Sequence, residues 1–419
     1  MIKQIFKQIW VERRQNGWLL IELAVVFFFL LLVTDLLWIK LKNYLEPKGF
    51  DIENTYVLKL KLLNSNATGY VNPELVTQTP VEKLAAIVER VRLYPDVESI
   101  SISQYASPYS MGGYWDALKV DTLVSPSSLR CRIVTPSYFD VFRIRSADGS
   151  RMQAEETGYD QVVLTKDAAE FFYGDAAQAI GKEIRRADNE DNAYRVSQAC
   201  NLLKRQEFMP YEKAYFVVYS LAQFKEKIPN LNVTSLDLCV RVKPGSKLHF
   251  EENFLSDMGD RLKENNLYVS SIVSSDKFRD NIVGRVIRQS ITQMVYVMIF
   301  VLITVFMGVF GVFWLRTRQR QSEIGIRMAM GADKQAIWSS TLVESLCLVS
   351  LSILPGLLVY ANLLYSDILD TKNLPFSLER VVLVFTVALL LMVLIVVGGT
   401  SWPANRAASI QPLDALRDE

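Results

Sequence analysis

Four long apolar runs punctuate the chain, one near its start and three in its last third, with 250 residues of mixed character at positions 40–289 between the first and the second. Residues 291–315 carry no charged side chain and residues 336–365 carry only Glu344, so each can cross a bilayer as a helix. The pattern places spans at 19–39, 290–315, 337–365 and 381–399. Residues 291–315 would make a helix about 37 Å long against roughly 30 Å of hydrocarbon, so this span must tilt or protrude. Ahead of the first span, residues 1–18 put Ile2, Ile5, Phe6, Ile9 and Trp10 on one helical side and Lys3, Lys7, Arg13 and Arg14 elsewhere, the pattern of a helix lying on the inner leaflet. The basic start and the apolar stretch 23–33 also fit a cleavable signal. Val33-Thr34-Asp35-Leu36, however, offers neither a small-x-small site nor a lipobox cysteine, and the run reads as an uncleaved anchor with the N-terminus inside. Glu22 and Asp35 fall near its two ends, within reach of headgroups or water.

Between the first two spans the period changes from helical to alternating. Leu58, Leu60 and Leu62 alternate with Lys59 and Lys61, a half-buried strand. Pro80 opens a helix with a stripe of Leu84, Ile87, Val88 and Val91, and Pro95 stops it. Ile100 and Ile102 alternate with serines in a second strand. Farther on, residues 162–164 read as a buried strand, and Ala168, Phe171 and Phe172 as the apolar side of a helix. Residues 215–219 and 236–242 read as further strands. Phe250, Phe254, Leu255, Met258 and Leu262 make another helix before a last strand at 267–273. This is a sheet-rich α+β domain inserted between spans one and two, large enough for two small cores. Residues 276–288 are helical in pattern and proline-free, a rigid stalk into the second span or an ordinary linker.

The later spans carry a few polar or breaking residues. Gly308 and Gly311 allow close helix approach. Glu344 would cost roughly 2.5–3.5 kcal/mol at mid-bilayer, and its position about two turns inside the boundary suggests partial water access. Pro355-Gly356 should kink the third span or end its regular part. The loop at 316–336, RTRQRQSEIGIRMAMGADKQA, is itself helical in pattern. Ile324, Met328 and Ala332 recur at four-residue spacing with Ile326 and Met330 beside them, and Arg320, Glu323, Arg327 and Lys334 supply the charge. Such a helix either lies on headgroups or docks into another protein, unless the loop only fixes topology.

Three stretches resemble one family. Glu323-Ile324-Gly325-Ile326-Arg327-Met328-Ala329-Met330-Gly331-Ala332 is similar to the E-I-G-[IL]-R-x-A-x-G-A signature of MacB/FtsX-like ABC transporter permeases, with Met328 where a second basic residue is common. Residues 132–142, RIVTPSYFDVF, and 160–182 resemble that family's periplasmic core domain, whose G-R-x-F is degraded here to Asp148-Gly149-Ser150-Arg151-Met152. The tail at 402–417 resembles the P-A-x-x-A-A-x-x-x-P-x-x-A-L-R ending, departing at Asn405. The resemblance implies a coupling helix seated on an ATPase, carried by Glu323, Ile324, Gly325, Ile326, Arg327, Ala329, Met330, Gly331 and Ala332. It also implies an outer domain of two subdomains, the insertion falling at about 110–205.

Charge gives the topology independently. The flank before span one has four Lys or Arg and the 316–336 loop has five, against Lys372 and Arg380 in the short loop at 366–380. Positive-inside bias puts both basic flanks and the tail at 400–419 in the cytosol and the domain at 40–289 outside. Composition then removes other classes. Net charge is +1, with no basic stripe for nucleic acid, and the single histidine, His249, excludes a triad or a metal site built on several imidazoles. No G-x-x-x-x-G-K-[ST] occurs, so the chain holds no cofactor of its own, and ATP and Mg would be bound by a partner ATPase. Cys131, Cys200 and Cys239 fall in the outer domain and Cys347 in a span, and buried free thiols are expected rather than a disulfide.

The reading is a non-enzymatic, four-helix bacterial inner-membrane permease that pairs with a second permease and with ABC ATPase subunits, for export or extraction of a drug, peptide or lipoprotein. A periplasmic adaptor with an outer-membrane duct would be its outer partner. The alternatives are an FtsX-like regulator of a periplasmic cell-wall hydrolase and an ATPase-independent receptor or scaffold.

Overall fold

The computed structural model describes residues 11, 13–110, 112–152, 161–189, 193–227, 232–246, 250–366, 368–369 and 374–408. Residues 1–10 and 12 of the surface helix expected over 1–18, His249, Lys372 and the tail from 409 lie outside them. The chain divides into two compact units, Met1–Asn43 with Gln289–Glu419, and Tyr44–Arg288.

In chain order, α1 (Arg13–Leu45) leads to β1 (Thr55–Leu62), α2 (Pro80–Arg92) and β2 (Val97–Gln104). The short strands β3 (Tyr114–Asp116), β4 (Leu118–Val120) and β5 (Leu123–Val124) precede β6 (Leu129–Val134), α3 (Tyr138–Val141) and β7 (Gln161–Thr165). Then come α4 (Lys166–Tyr173), α5 (Ala176–Ala179), β8 (Glu183–Arg186), β9 (Ala193–Cys200), β10 (Ala214–Val218) and α6 (Leu221–Lys227). The Tyr44–Arg288 unit closes with β11 (Leu236–Val242), α7 (Phe250–Met258), β12 (Lys263–Glu264), β13 (Leu267–Ser274) and α8 (Ser275–Ile282). A π-helical stretch, Val283–Arg288, follows α8 in place of the continuous α-helix that its sequence suggested.

The thirteen strands form one sheet, ordered β12-β13-β1-β11-β2-β6-β10-β7-β9-β8-β4-β5 with β3 beside β6. Strand alternation distributes side chains to cores on both faces. Tyr56, Leu58 and Leu60 join Leu238 and Val240 under α2 and α7, whereas Val57 and Cys239 point into a second core with Tyr138, Phe139 and Phe142. Beyond β6 the same division recurs, with Phe216 and Val218 in the second core and Tyr215 and Val217 in a third packed under α4. The two expected subdomains therefore share one sheet, joined where β2 meets β6 through only two residue pairs, Ser103 with Val134 and Gln104 with Ile133.

Local chemistry explains the elements. Thr79 caps α2 by accepting from the Glu82 backbone N–H, while its own N–H donates to the Glu82 carboxylate at 2.8 Å and Pro80 takes the first position. Leu84, Ile87 and Val91 are fully buried, each worth roughly 1.5–3 kcal/mol. The helix expected through Leu262 stops at Met258 and tightens into a 3-10 turn, Gly259–Leu262, and Leu255 and Leu62 turn outward. At Asp148-Gly149 the chain makes a tight turn, with Gly149 at φ +88° and its N–H donating to the Ser146 carbonyl at 2.9 Å. Arg241, fully buried on β11, donates to the carbonyls of Val141 (2.6 Å), Glu53 (2.8 Å) and Asp51 (2.8 Å), tying the sheet to the segment entering β1.

All four cysteines are free thiols. Burial pushes the thiols of Cys131 and Cys200 up to about 12, and Cys239 also rises well above the ordinary range. At pH 8 these three should stay thiols in the native protein. A thiol reagent such as DTNB is expected to modify them only on the timescale of unfolding, and rapid stoichiometric labelling would contradict the buried placement.

In the helical unit, α9 (Gln289–Gln319), α10 (Gln321–Ala329), α11 (Lys334–Tyr365) and α12 (Leu378–Ala408) follow. Among the described residues four helices are long and apolar enough to cross a membrane, α1 from Gly17, α9, α11, and α12 to Arg406. Pro355 does not end α11, which continues as helix to Tyr365. Gly356 instead permits close packing, since a Cβ there would sit 3.0 Å from the Ala24 carbonyl of α1. Gly308 faces Glu22, whereas a Cβ at Gly311 would meet nothing within 4 Å, and the second close approach belongs to Gly399, where a Cβ would lie 3.1 Å from Val309. Asp35 is not an interfacial residue within the unit but is buried against Arg380 of α12, 2.7 Å from both its Nε and its terminal NH2.

Candidate coupling site

The basic loop folds as expected of its period, but the faces divide differently. Arg320 breaks the helical path at φ −102°, α10 begins at Gln321, and Gly331 at φ +95° ends it. The N–H groups of Met330, Gly331 and Ala332 donate to Ile326, Met328 and Arg327, so the last carbonyls of α10 are satisfied by the reversal. Asp333 then starts α11. Gly331 is required here because its left-handed backbone would strain any residue with a Cβ.

Within α10, Ile324 and Met328 turn inward and are half-buried, and Gly325 is buried. Ile326 and Met330 do not extend that side; they stand on the opposite one, 49% and 76% exposed, so their apolar area is available to a partner. Ala332 lies beyond the helix, past Gly331. Ala329 is exposed beside the pair. Glu323 accepts from Arg327 at 2.6 Å one turn on, a solvent-facing pair worth a few tenths of a kcal/mol, so its main effect is to fix the two side chains beside Ile326.

Glu344 is not a solitary acid. Arg320, at the break between α9 and α10, donates to both of its carboxylate oxygens at 3.1 and 3.0 Å, with both side chains largely covered. This pair clamps the start of α10 to α11, and Arg320 is the residue that sequence reasoning left as plain surface charge. A lone acid in an apolar run requires a cation nearby, and that requirement was the available signal. Among the described residues no group of His, Cys, Asp and Glu could hold a metal ion.

Residues 295–412 match the model of the FtsX-like permease C-terminal family. The last part of the chain is thus similar to the C-terminal region of FtsX-like permeases. Its relatives include the macrolide export ATP-binding/permease protein MacB 2 of Aeromonas hydrophila, 30% identical over 118 residues, which are 27% of this chain and 17% of that protein. The syringafactin export ATP-binding/permease protein SyfD of Pseudomonas syringae is 35% identical over 112 residues, 26% of this chain and 16% of that one. The matched stretch of this chain thus spans under a fifth of the length of these curated relatives. Two solved structures are also similar. A domain of a permease protein from Porphyromonas gingivalis is 15% identical with a TM-score of 0.35, over 56% of this chain and 98% of that one. The extracellular domain of the noncanonic ABC-type transporter YknZ from Gram-positive bacteria is 12% identical with a TM-score of 0.30, over 51% and 100%.

Proposed function

We propose that this chain is a MacB/FtsX-like permease, the membrane subunit of an ABC exporter, and receives work from a separate ATPase through α10. The observation that carries the reading is the exposed Ile326 and Met330 pair, flanked by the fixed Glu323 and Arg327. It lies on a short helix that is clamped to a span by Arg320 and Glu344 rather than tethered loosely. A docking helix must present apolar area to its partner and be stiff toward the spans behind it, and both conditions hold. Nucleotide-driven closure of two ATPase subunits would then push on α10, and a pair of permeases would pass the movement to the α+β domains. The termini and α10 are cytosolic in this reading, and the α+β domain is periplasmic. Export is preferred over regulation of a hydrolase because the relatives named above are export proteins; the substrate class follows theirs only as far as drugs or peptides.

The test is affinity purification of the intact permease in mild detergent, with its ATPase partner identified. Ile326→Asp with Met330→Asp buries two unpaired charges in the proposed contact and is expected to cut recovery of the ATPase more than tenfold. The α+β domain should melt unchanged. Full recovery of an ATPase with the doubly substituted chain would remove α10 as the coupling element, and absence of any ATPase from the wild-type eluate would leave a receptor or scaffold.

A further inference from the structure

The chain leaves α3 through a left-handed turn at a residue that is not glycine. Arg143 stands at φ +48°, with the Ile144 N–H donating back to the Phe139 carbonyl at 2.9 Å and its own N–H donating to the Asp140 carbonyl at 3.2 Å. Such a helix end ordinarily takes glycine, because a Cβ is strained there. A second irregularity lies on β2. Arg241 of β11 is paired with Ser99, but Val242 with Val97, so Glu98 is the extra residue of a bulge. Arg143, Glu98 and Ser99 line one cavity of about 380 Å³, open to solvent on one side, together with Phe139 and Ile144. The turn at Asp148-Gly149 adds Arg145 and Arg151, which oppose each other across an isolated antiparallel bridge and so stand on the same side.

We infer that this cavity binds the C-terminal carboxylate of a peptide, with Arg143 and Arg145 as its donors. Arg151 is committed to Asp140, donating to one of its oxygens from Nε at 3.2 Å and from the terminal NH2 at 2.7 Å. Arg145 uses one N–H on the Gly149 carbonyl at 3.1 Å, and Arg143 stands 3.4 Å from Asp51, a carboxylate it shares with Arg241. The lining therefore holds more guanidinium donors than its own carboxylates take up, and a planar carboxylate is the group that matches their fork. Glu98 and Asp140 in the same lining oppose a dianion such as phosphate more than a monoanion. Phe139 and Ile144 are only 1% and 3% exposed, an apolar area that suits one side chain rather than an acyl chain. Ser99 supplies a further contact. Its Oγ is enclosed and has no hydrogen-bond partner among the described residues, and a peptide amide beside the carboxylate would satisfy it. The strained turn and the bulge then have a common reason, since both aim side chains into this cavity. The inference concerns the Tyr44–Arg288 unit alone and holds whether or not α10 meets an ATPase.

The experiment applies saturation-transfer NMR to the intact chain in detergent, with N-acetylated dipeptides ending in alanine, valine or leucine, each as the free acid and as the amide. At least one acid should bind, and its amide should bind about tenfold more weakly or worse, because it cannot accept the paired guanidinium bonds. Arg143→Gln with Arg145→Gln should abolish that difference. The paired Lys variants should restore only part of it, since a point charge lacks the fork. Ser99→Ala removes a hydroxyl that bonds to nothing in the folded chain, so it spares the fold, and it should weaken the acid by about threefold. Absence of binding by every acid, equal binding of acid and amide, a difference that survives the Gln pair, or an unchanged affinity in Ser99→Ala would each overturn the site. Displacement of the acid by an equal concentration of inorganic phosphate or of decanoate would do the same, because it would mean a site for any anion or for an acyl chain.

Discussion

Arg380→Met is expected to destabilise the helical unit by about 3–5 kcal/mol, the cost of leaving one member of a buried ion pair without the other. Asp35 and Arg380 are joined by two bonds of 2.7 Å, and their side chains are 2% and 1% exposed. Arg380 also donates to the Leu374 carbonyl, so one guanidinium holds α12, the segment leading into it and α1. Asp35→Asn should cost a similar amount by stranding the cation. The informative variant is the double, Asp35→Asn with Arg380→Met, which removes both charges and should be markedly more stable than the sum of the single losses predicts. Thermal unfolding in detergent, followed by size exclusion and far-UV circular dichroism, reads all three. Strict additivity would mean that the two side chains do not depend on one another.

Gly49→Ala should be the most damaging single-methyl change in the Tyr44–Arg288 unit. Gly49 sits at φ +86°, and a Cβ there would lie 1.9 Å from the Leu202 carbonyl oxygen, far inside contact distance and against backbone that has no rotamer to give. The same seam is stitched by Asn201 donating to the Gly49 carbonyl at 2.9 Å and by the Lys204 N–H donating to Lys48 at 3.0 Å. Backbone strain and the forced opening of this seam together should cost on the order of 3 kcal/mol or more. Gly149→Ala provides the comparison, because its φ is +88° with nothing within 4 Å, so it bears the conformational cost alone, about 1 kcal/mol. Equal melting temperatures for the two variants would show that the seam yields.

What the sequence revealed depended on how local the physics was. The spans were legible because lack of charge over 25 residues has few other meanings, and α2 because proline, cap and stripe agree within 13 residues. The single sheet was not legible, since β2 and β6 meet through two residue pairs that no local pattern encodes. Asp35 looked interfacial because its partner lies 345 positions away, and Arg380 looked like loop charge for the same reason. In α10 the period was right and the sides were not. Ile326 and Met330 are as apolar as Ile324 and Met328, so only packing could assign which pair faces inward.

The arrangement of β1 and β13 carries an implication for how such a protein can change over time. They are antiparallel neighbours, and Tyr56 near the start of β1 lies opposite Ser274 at the end of β13, so the chain enters and leaves the sheet one strand spacing apart. The whole sheet is thus a cassette with adjacent ends, and exchanging it for another fold with the same spacing would need no rerouting of the flanking chain. Selection can then rewrite the cassette while the flanking helices keep their sequence.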